Sequence, residues 1–249
     1  MEPWNTVHET RDERLARIRI FDRGNIQDRF CAQIEILGLG AATREELLGA
    51  LERYEDLISM STLCASLRPG LRLSAYPDSF VLVSDKLREV LLITQTLQWA
   101  ALRAGCMVRG GVAFGPHAEG EKAGARLIVS SAVAKASALG KAVKRPCVTL
   151  HPEITFPDEW WLLEESPVLF FDGLRIVSPF YRLLARSGMR EASQFLHRNP
   201  EYSEEYDWLL ELYNAFKAPR PTVPEDVFER LIEKYASPPP GSAWREPRP

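Results

Sequence analysis

The sequence predicts an α+β sandwich with a mostly antiparallel sheet covered by helices, and three observations carry that reading. Strand-like and helix-like stretches follow one another as strand–helix–strand–strand–helix–strand, the split βαβ, ferredoxin-like order. The two middle strands are separated only by Pro77-Asp78, which is hairpin spacing. The first intervening stretch shows apolar residues at helical intervals, and the second is bounded by a capping Ser and a terminating Gly.

Taken in order, residues 1–29 are charge-rich and weakly patterned, and form an N-terminal segment ahead of the first strand. Residues 30–38, FCAQIEILG, read as a buried strand. In residues 41–60, Thr43 and Glu46 have capping-box spacing, and Leu47, Leu51, Tyr54 and Ile58 recur on one helical face. LRLSAY and SFVLVS form the hairpin. Ser84 is placed to cap the next helix, 85–105, which Gly105 ends. CMVRGGVAFG is a strand whose paired glycines mark a close backbone approach or a kink. PHAEGEKAGA reads as a polar surface loop, with His117 and Glu119 in it. SSAVAKASALGKA is a small-residue helix and CVTLH a strand. Farther on, VLFFDGLRIV is a hairpin with Asp172-Gly173 as a type I′ turn, EYDWLLELYNAF is a helix, and SPPPGSAWREPRP is a Pro-rich tail. These elements divide the chain into an N-terminal segment (1–29), a main domain (30–180) and a C-terminal helical extension with the tail (181–249).

Composition narrows the function classes. The chain has 249 residues, is 45% hydrophobic and 26% charged, and carries a formal net charge of −3, so no global basic field argues for a nucleic-acid partner. No apolar run reaches membrane-spanning length, and the polar start MEPWNTVHETRDER has no signal-peptide core, so a cytoplasmic protein without a membrane partner is expected. Cys31, Cys64, Cys106 and Cys147 form neither a CxxC pair nor a zinc spacing, and read as reduced thiols.

Two carboxylates stand out. Glu35 interrupts an apolar strand just before Gly38, and Asp78 occupies the hairpin tip. In this topology the first strand lies beside the hairpin, so its end and the tip are brought together. Two carboxylates beside the backbone N–H groups of residues 37–40 suit a divalent cation with a triphosphate. Each also has a plainer reading. Asp is an ordinary turn residue, and a carboxylate in a strand is also stabilised by an arginine, a structural pairing favoured for Arg109 across the sheet. Asp22 and Asp28 are further acids, without the same strand context.

The segments CAQIEILGLG, YPDSFVLVS, MVRGGVAFG, SAVAKASALG and RPCVTL, in this order across residues 30–151, together resemble the class III nucleotide cyclases. EYDWLLELYN is similar to the tail of a bacterial subgroup. The resemblance implies that Glu35 and Asp78, 43 residues apart, hold two Mn²⁺ or Mg²⁺ ions. It further implies that Leu37 and Gly38 cradle the triphosphate, and that Ser131 and Lys135 stand at the positions of a helix Asn and Arg. Lys135 would then stabilise the transferred phosphate. Glu35 stands where the family has Asp. The closest resemblance is to the pyrimidine cyclases of bacterial Pycsar antiphage systems. Ser74 stands where many adenylate cyclases have a purine-reading Lys, and Tyr76 puts a ring where a base would bind, or else simply packs at the edge of the core. Strand alternation would aim Tyr76 and Asp78 at one face. The resemblance thus implies a nucleoside triphosphate substrate, UTP ahead of CTP, and a head-to-tail homodimer with sites at the interface. A cyclic nucleotide would be the product, signalling in antiviral defence. The rival is a degenerate cyclase-like domain that binds a nucleotide or a partner without turnover.

Overall fold

The computed structural model describes residues 26–37, 44–76, 78–122, 125–154, 166–181 and 185–217. The elements are β1 (Gln27–Leu37), α1 (Arg44–Ser66), β2 (Arg72–Tyr76), β3 (Ser79–Ser84), α2 (Leu87–Arg103), β4 (Met107–Lys122), β5 (Ala125–Ser130), α3 (Ser131–Val143), β6 (Val148–Leu150), β7 (Val168–Phe171), β8 (Leu174–Val177), α4 (Ala185–Arg198) and α5 (Ser203–Lys217). A 3₁₀ turn at Pro200–Tyr202 precedes α5.

The strands form one mixed sheet in the order β2-β3-β1-β4-β6-β8-β7, with β5 paired to β4. Its first four strands are all antiparallel neighbours, which is the α+β sandwich expected from the order of elements. Among the described residues only the β4–β6 pairing is parallel.

The pleat sorts β1 into two faces. Phe30, Ala32, Ile34 and Ile36 point to one side, where they meet Phe80, Leu82 and the apolar stripes of α1 and α2 in the main core. Cys31 and its odd-numbered neighbours point to the other side, where Cys31, Val81 and Val83 pack under Ala132 of α3. The helix α3 lies against the sheet because its seat has no side chains. A Cβ on Gly111 would come 2.5 Å from the Ala136 carbonyl oxygen, and one on Gly140 would come 2.7 Å from the Gly110 Cα. The paired glycines of MVRGGVAFG are therefore a seat for a helix.

A second core joins β7, β8 and the end of α2 to the C-terminal helices, through Leu102, Ile176, Phe180, Trp208 and Leu212. The Asp172-Gly173 turn has φ of 53° and 72°, the left-handed pair that a type I′ turn demands. The Asp172 carboxylate also accepts a hydrogen bond from the Trp208 indole at 3.0 Å, tying α5 to the hairpin.

Four expectations need correction. Residues 116–122 continue β4, and with β5 they form a ribbon, where a polar loop was expected. His117 and Glu119 are accordingly not surface residues: the His117 ring is buried and the Glu119 side chain is 13% exposed. Ser84 is the last residue of β3; Lys86 is the N-cap of α2, while Ser84 accepts from the Lys86 amide at 3.1 Å and donates to Glu89 at 2.6 Å. Helix α4 has no counterpart in the sequence reading, because SGMREASQFLHR is mostly polar and is held by tertiary contacts between α4 and α2. Thr43 of the expected capping box lies outside the described residues, as do the segment 1–25 and the tail from 218 onward.

Candidate functional site

The register brings the backbones at Glu35 and Asp78 side by side. Glu35 of β1 is paired with Ser79, the residue after Asp78, and the Ile36 amide donates to the Asp78 carbonyl at 2.8 Å. The end of the central strand thus meets the hairpin tip. Tyr76 is also paired with Ser79, and Glu35 with Arg109, so Tyr76, Ser79, Glu35 and Arg109 form a row across β2, β3, β1 and β4.

Within that row Glu35 is engaged. Its Oε2 accepts from Arg109 Nε at 2.9 Å, with both side chains partly exposed. This is the arginine pairing foreseen as the plainer reading of the residue. Asp78 turns elsewhere: it accepts from the Ser79 hydroxyl at 3.2 Å, and its charge acts on Tyr54 of α1. Burial, and then the Asp78 carboxylate, push the Tyr54 phenol up from its ordinary value. Tyr54 in turn donates to the Tyr76 carbonyl and stacks 5.9 Å from Phe80, clamping the hairpin to α1.

Asp78 occupies the turn itself, so strand alternation does not govern its direction, and the expected shared face with Tyr76 does not follow from the pleat. Tyr76 is 43% exposed. Leu37 ends β1, and Gly38 lies outside the described residues, as does Asp22. Asp28 sits near the start of β1, remote from Glu35.

Ser131 and Lys135 stand on the first turns of α3, whose N-cap is Ser130: the Ser130 hydroxyl accepts from the Val133 amide at 3.1 Å. Ser131 donates to the Pro116 carbonyl at 3.4 Å. Lys135 donates to Glu153 at 2.5 Å, and that bond holds the Glu153 carboxyl below its usual range. Glu35 and Asp78 therefore form one group at the β1 end and hairpin tip, and Ser131 and Lys135 another on α3.

Carboxylate oxygens such as those of Glu35 and Asp78 are the donor type that hard divalent cations such as Mg²⁺ or Mn²⁺ take. Among the described residues no group of three His, Cys, Asp or Glu side chains converges as a metal cage, so an ion there would draw its remaining ligands from a substrate or the backbone.

Sequence reasoning missed a second polar constellation at the opposite end of β1. The Cys31 Sγ lies 3.8 Å from His117 Nδ1, and His117 Nε2 donates to Glu119 at 2.8 Å. Glu119 also accepts from Arg72 of β2 at 2.9 Å. Thiol, imidazole and carboxylate in line suggest a nucleophile relay, but the chemistry argues against one. Cys31 is fully buried, and burial pushes its thiol up to about 12. The same desolvation lowers the His117 pKa, so the ring is neutral and its Nδ1 accepts from the thiol. The signal available in the sequence was the alternation His117, Ala118, Glu119 beyond Gly115, which Gly115-Pro116 masked as a break.

No family model matches the sequence, and no curated protein matches it. Among solved structures, the guanylyl cyclase Cya2 aligns with a TM-score of 0.45 at 8% identity, over 66% of this chain and 97% of that one. A bacterial light-regulated adenylyl cyclase aligns with a TM-score of 0.41 at 12% identity, over 68% of this chain and 57% of that one. Likeness at this level says nothing of what the chain binds or turns over.

Proposed function

We propose that the protein is a pyrimidine nucleotide cyclase that converts UTP, with CTP as the second candidate, into the 3′,5′-cyclic monophosphate and pyrophosphate. The observation that carries this reading is the junction of Glu35 and Asp78 through the 2.8 Å bond between the Ile36 amide and the Asp78 carbonyl, within the βαββαβ order. Glu35 and Asp78 would hold two Mn²⁺ or Mg²⁺ ions, which when bound lower the pKa of the ribose 3′-hydroxyl and clamp the phosphates.

The chain's own groups have separate tasks in this reading. Backbone N–H groups at Leu37 and Gly38 cradle the triphosphate. Lys135, a point charge where an arginine would offer a fork, stabilises charge on the α-phosphoryl group as the 3′-oxygen attacks and pyrophosphate leaves. Ser131 offers a hydroxyl one turn earlier on α3, and Tyr76 limits the size of the base. The resemblance to class III cyclases, whose sites form between two subunits, implies a head-to-tail homodimer, with Lys135 supplied by the partner. The product would act as a second messenger in antiphage defence.

Two contacts favour a second reading, a cyclase-like domain that binds a nucleotide or a partner without turnover. Arg109 occupies Glu35, and Glu153 occupies Lys135. Turnover requires each of these pairs to open or to share its partner.

The test is incubation of the full chain with each of the four nucleoside triphosphates and Mn²⁺, followed by mass analysis. Cyclic UMP or cyclic CMP with pyrophosphate supports the cyclase. Binding of a nucleotide with no product from any of the four establishes the second reading.

A further inference from the structure

A cleft of about 400 Å³ opens at the end of the sheet opposite Glu35 and Asp78, beneath the β4–β5 ribbon. Arg29 of β1, Arg72 of β2, Ser84 and Asp85 at the end of β3, and His117 and Glu119 of β4 line it. None of these residues has a part in the proposed cyclase site; Arg72, His117 and Glu119 belong to the second constellation, at the opposite end of β1. We propose that this cleft binds a small oxyanion, a phosphate or carboxylate group, gripped between the guanidinium groups of Arg29 and Arg72.

Four strands bring their side chains to one place here. The register pairs Arg72 with Val83, Val83 with Cys31, and Gln27 with His117, so the lining residues of β1, β2 and β4 share the face of the sheet that carries Cys31. The ribbon then carries Glu119 far enough to reach Arg72, 47 residues away in the chain, at 2.9 Å. Arg29 and Arg72 both line this one cleft, so their two positive charges border the same space.

Neither arginine is saturated by its acid. A guanidinium carries five donors. Arg72 spends one nitrogen, Nη1, on Glu119. Arg29 stands 3.8 Å from Asp85, beyond hydrogen-bonding distance, and also donates to Gln27. Asp85 is 46% exposed, so it can turn to water when an anion takes its place beside Arg29. The Glu119 charge is paired with Arg72, and the His117 ring adds a hydrogen bond to the same carboxylate, which offsets the local negative charge that would otherwise repel an anion. Planar forks suit phosphate and carboxylate alike, since both accept paired N–H bonds.

The experiment is an NMR titration of the full chain that follows the His117 ring resonances, assigned by their loss in His117→Gln. Inorganic phosphate and malonate are added separately at constant ionic strength, with chloride as the control. A saturable shift with phosphate or malonate, and none with chloride, is expected; whichever probe saturates identifies the phosphate or the carboxylate form of the ligand. Arg29→Gln should weaken that binding at least tenfold, and it should fold as the wild type does, because the contact it removes with Asp85 is long. Arg72→Gln should do the same, with thermal melting to show that the ribbon remains docked. Absence of a saturable shift with both probes, or an Arg29→Gln variant that binds as tightly as the wild type, overturns the proposal. No nucleotide enters this test, so its result is independent of the cyclase reading.

Discussion

Glu35 has two possible jobs, and the Arg109 pair separates them by energy. The pair is partly exposed on both sides, so its contribution to folding is small, about 0–1 kcal/mol. Glu35→Gln should therefore leave the melting temperature within a few degrees of wild type. If Glu35 is a ligand, the same variant loses Mn²⁺ binding in the presence of a nucleotide analogue, measured by calorimetry; unchanged affinity makes Glu35 structural. Asp78→Asn keeps the shape of the turn and removes the charge. It should fold normally and lower cyclisation by on the order of 100-fold or more, as misplaced metal or phosphate contacts do; wild-type turnover in a folded Asp78→Asn protein removes Asp78 from the mechanism. Tyr76 makes an equally clean probe because its ring is 43% exposed. Tyr76→Ala should cost little stability, and on the proposed reading it should raise purine relative to pyrimidine turnover by opening space for a second ring. An unchanged ratio leaves Tyr76 as a packing residue.

Among the elements, α3 and the β4–β5 ribbon carry the most specific consequences. The seat of α3 tolerates no side chain at Gly111, where a Cβ would meet the Ala136 carbonyl at 2.5 Å. Gly111→Val should destabilise by about 1–3 kcal/mol or more and lower the melting temperature, because the backbone on both sides has to move. Wild-type melting would show that α3 sits more loosely on the sheet. The ribbon is pinned by His117, whose ring is held below its ordinary pKa by burial. The unfolded chain then binds a proton that the folded state refuses, so this stabilisation is complete above about pH 6.5 and declines as pH falls from 6.5 towards the lower folded value. Urea unfolding at pH 7.5 and pH 5.5 should show that decline in the wild type and a shallower one in His117→Gln. Equal declines would mean that other groups set the pH dependence.

For the molecule as a whole, the main core and the C-terminal helices are bound through one cluster. Phe180 is almost fully buried and lies 5.4 Å from the rings of both Tyr213 and Phe216, while Trp208 packs edge-on to Phe171 at 5.5 Å. A boundary after residue 180 therefore cuts beside a packed aromatic group. Trp208→Ala should cost about 3–5 kcal/mol, and should lower the single unfolding transition of the whole chain rather than release α5 alone. Two separated transitions in differential scanning calorimetry would establish residues 181–249 as an independent unit.

How much of this was legible in the sequence depends on the range of the forces involved. Local signals were sufficient for the split βαβ order, the Asp172-Gly173 turn, the helix ended by Gly105 and the glycine seat, because alternation, helical period and backbone permissiveness act over a few residues. The adjacency of Glu35 and Asp78 was also legible, since that order of elements puts the first strand beside the hairpin. The pairing of Arg109 with an acid across the sheet followed from the same order, and Glu35 is that acid. The other partners were not legible: Lys135 meets Glu153 across 18 residues and Arg72 meets Glu119 across 47, and no local pattern encodes which acid a guanidinium or ammonium group will reach. His117 shows the same limit: a histidine in a polar stretch reads as exposed, and only the continued pairing of β4 with β1, with His117 opposite Gln27, buries it beside Cys31. The sequence by itself determined the elements and their pairing order through short-range sterics and hydrophobic period. The tertiary structure alone decided which acids meet Lys135 and Arg72 and which polar groups converge on a cleft, because those depend on distances that close only when the strands pair and the helices dock.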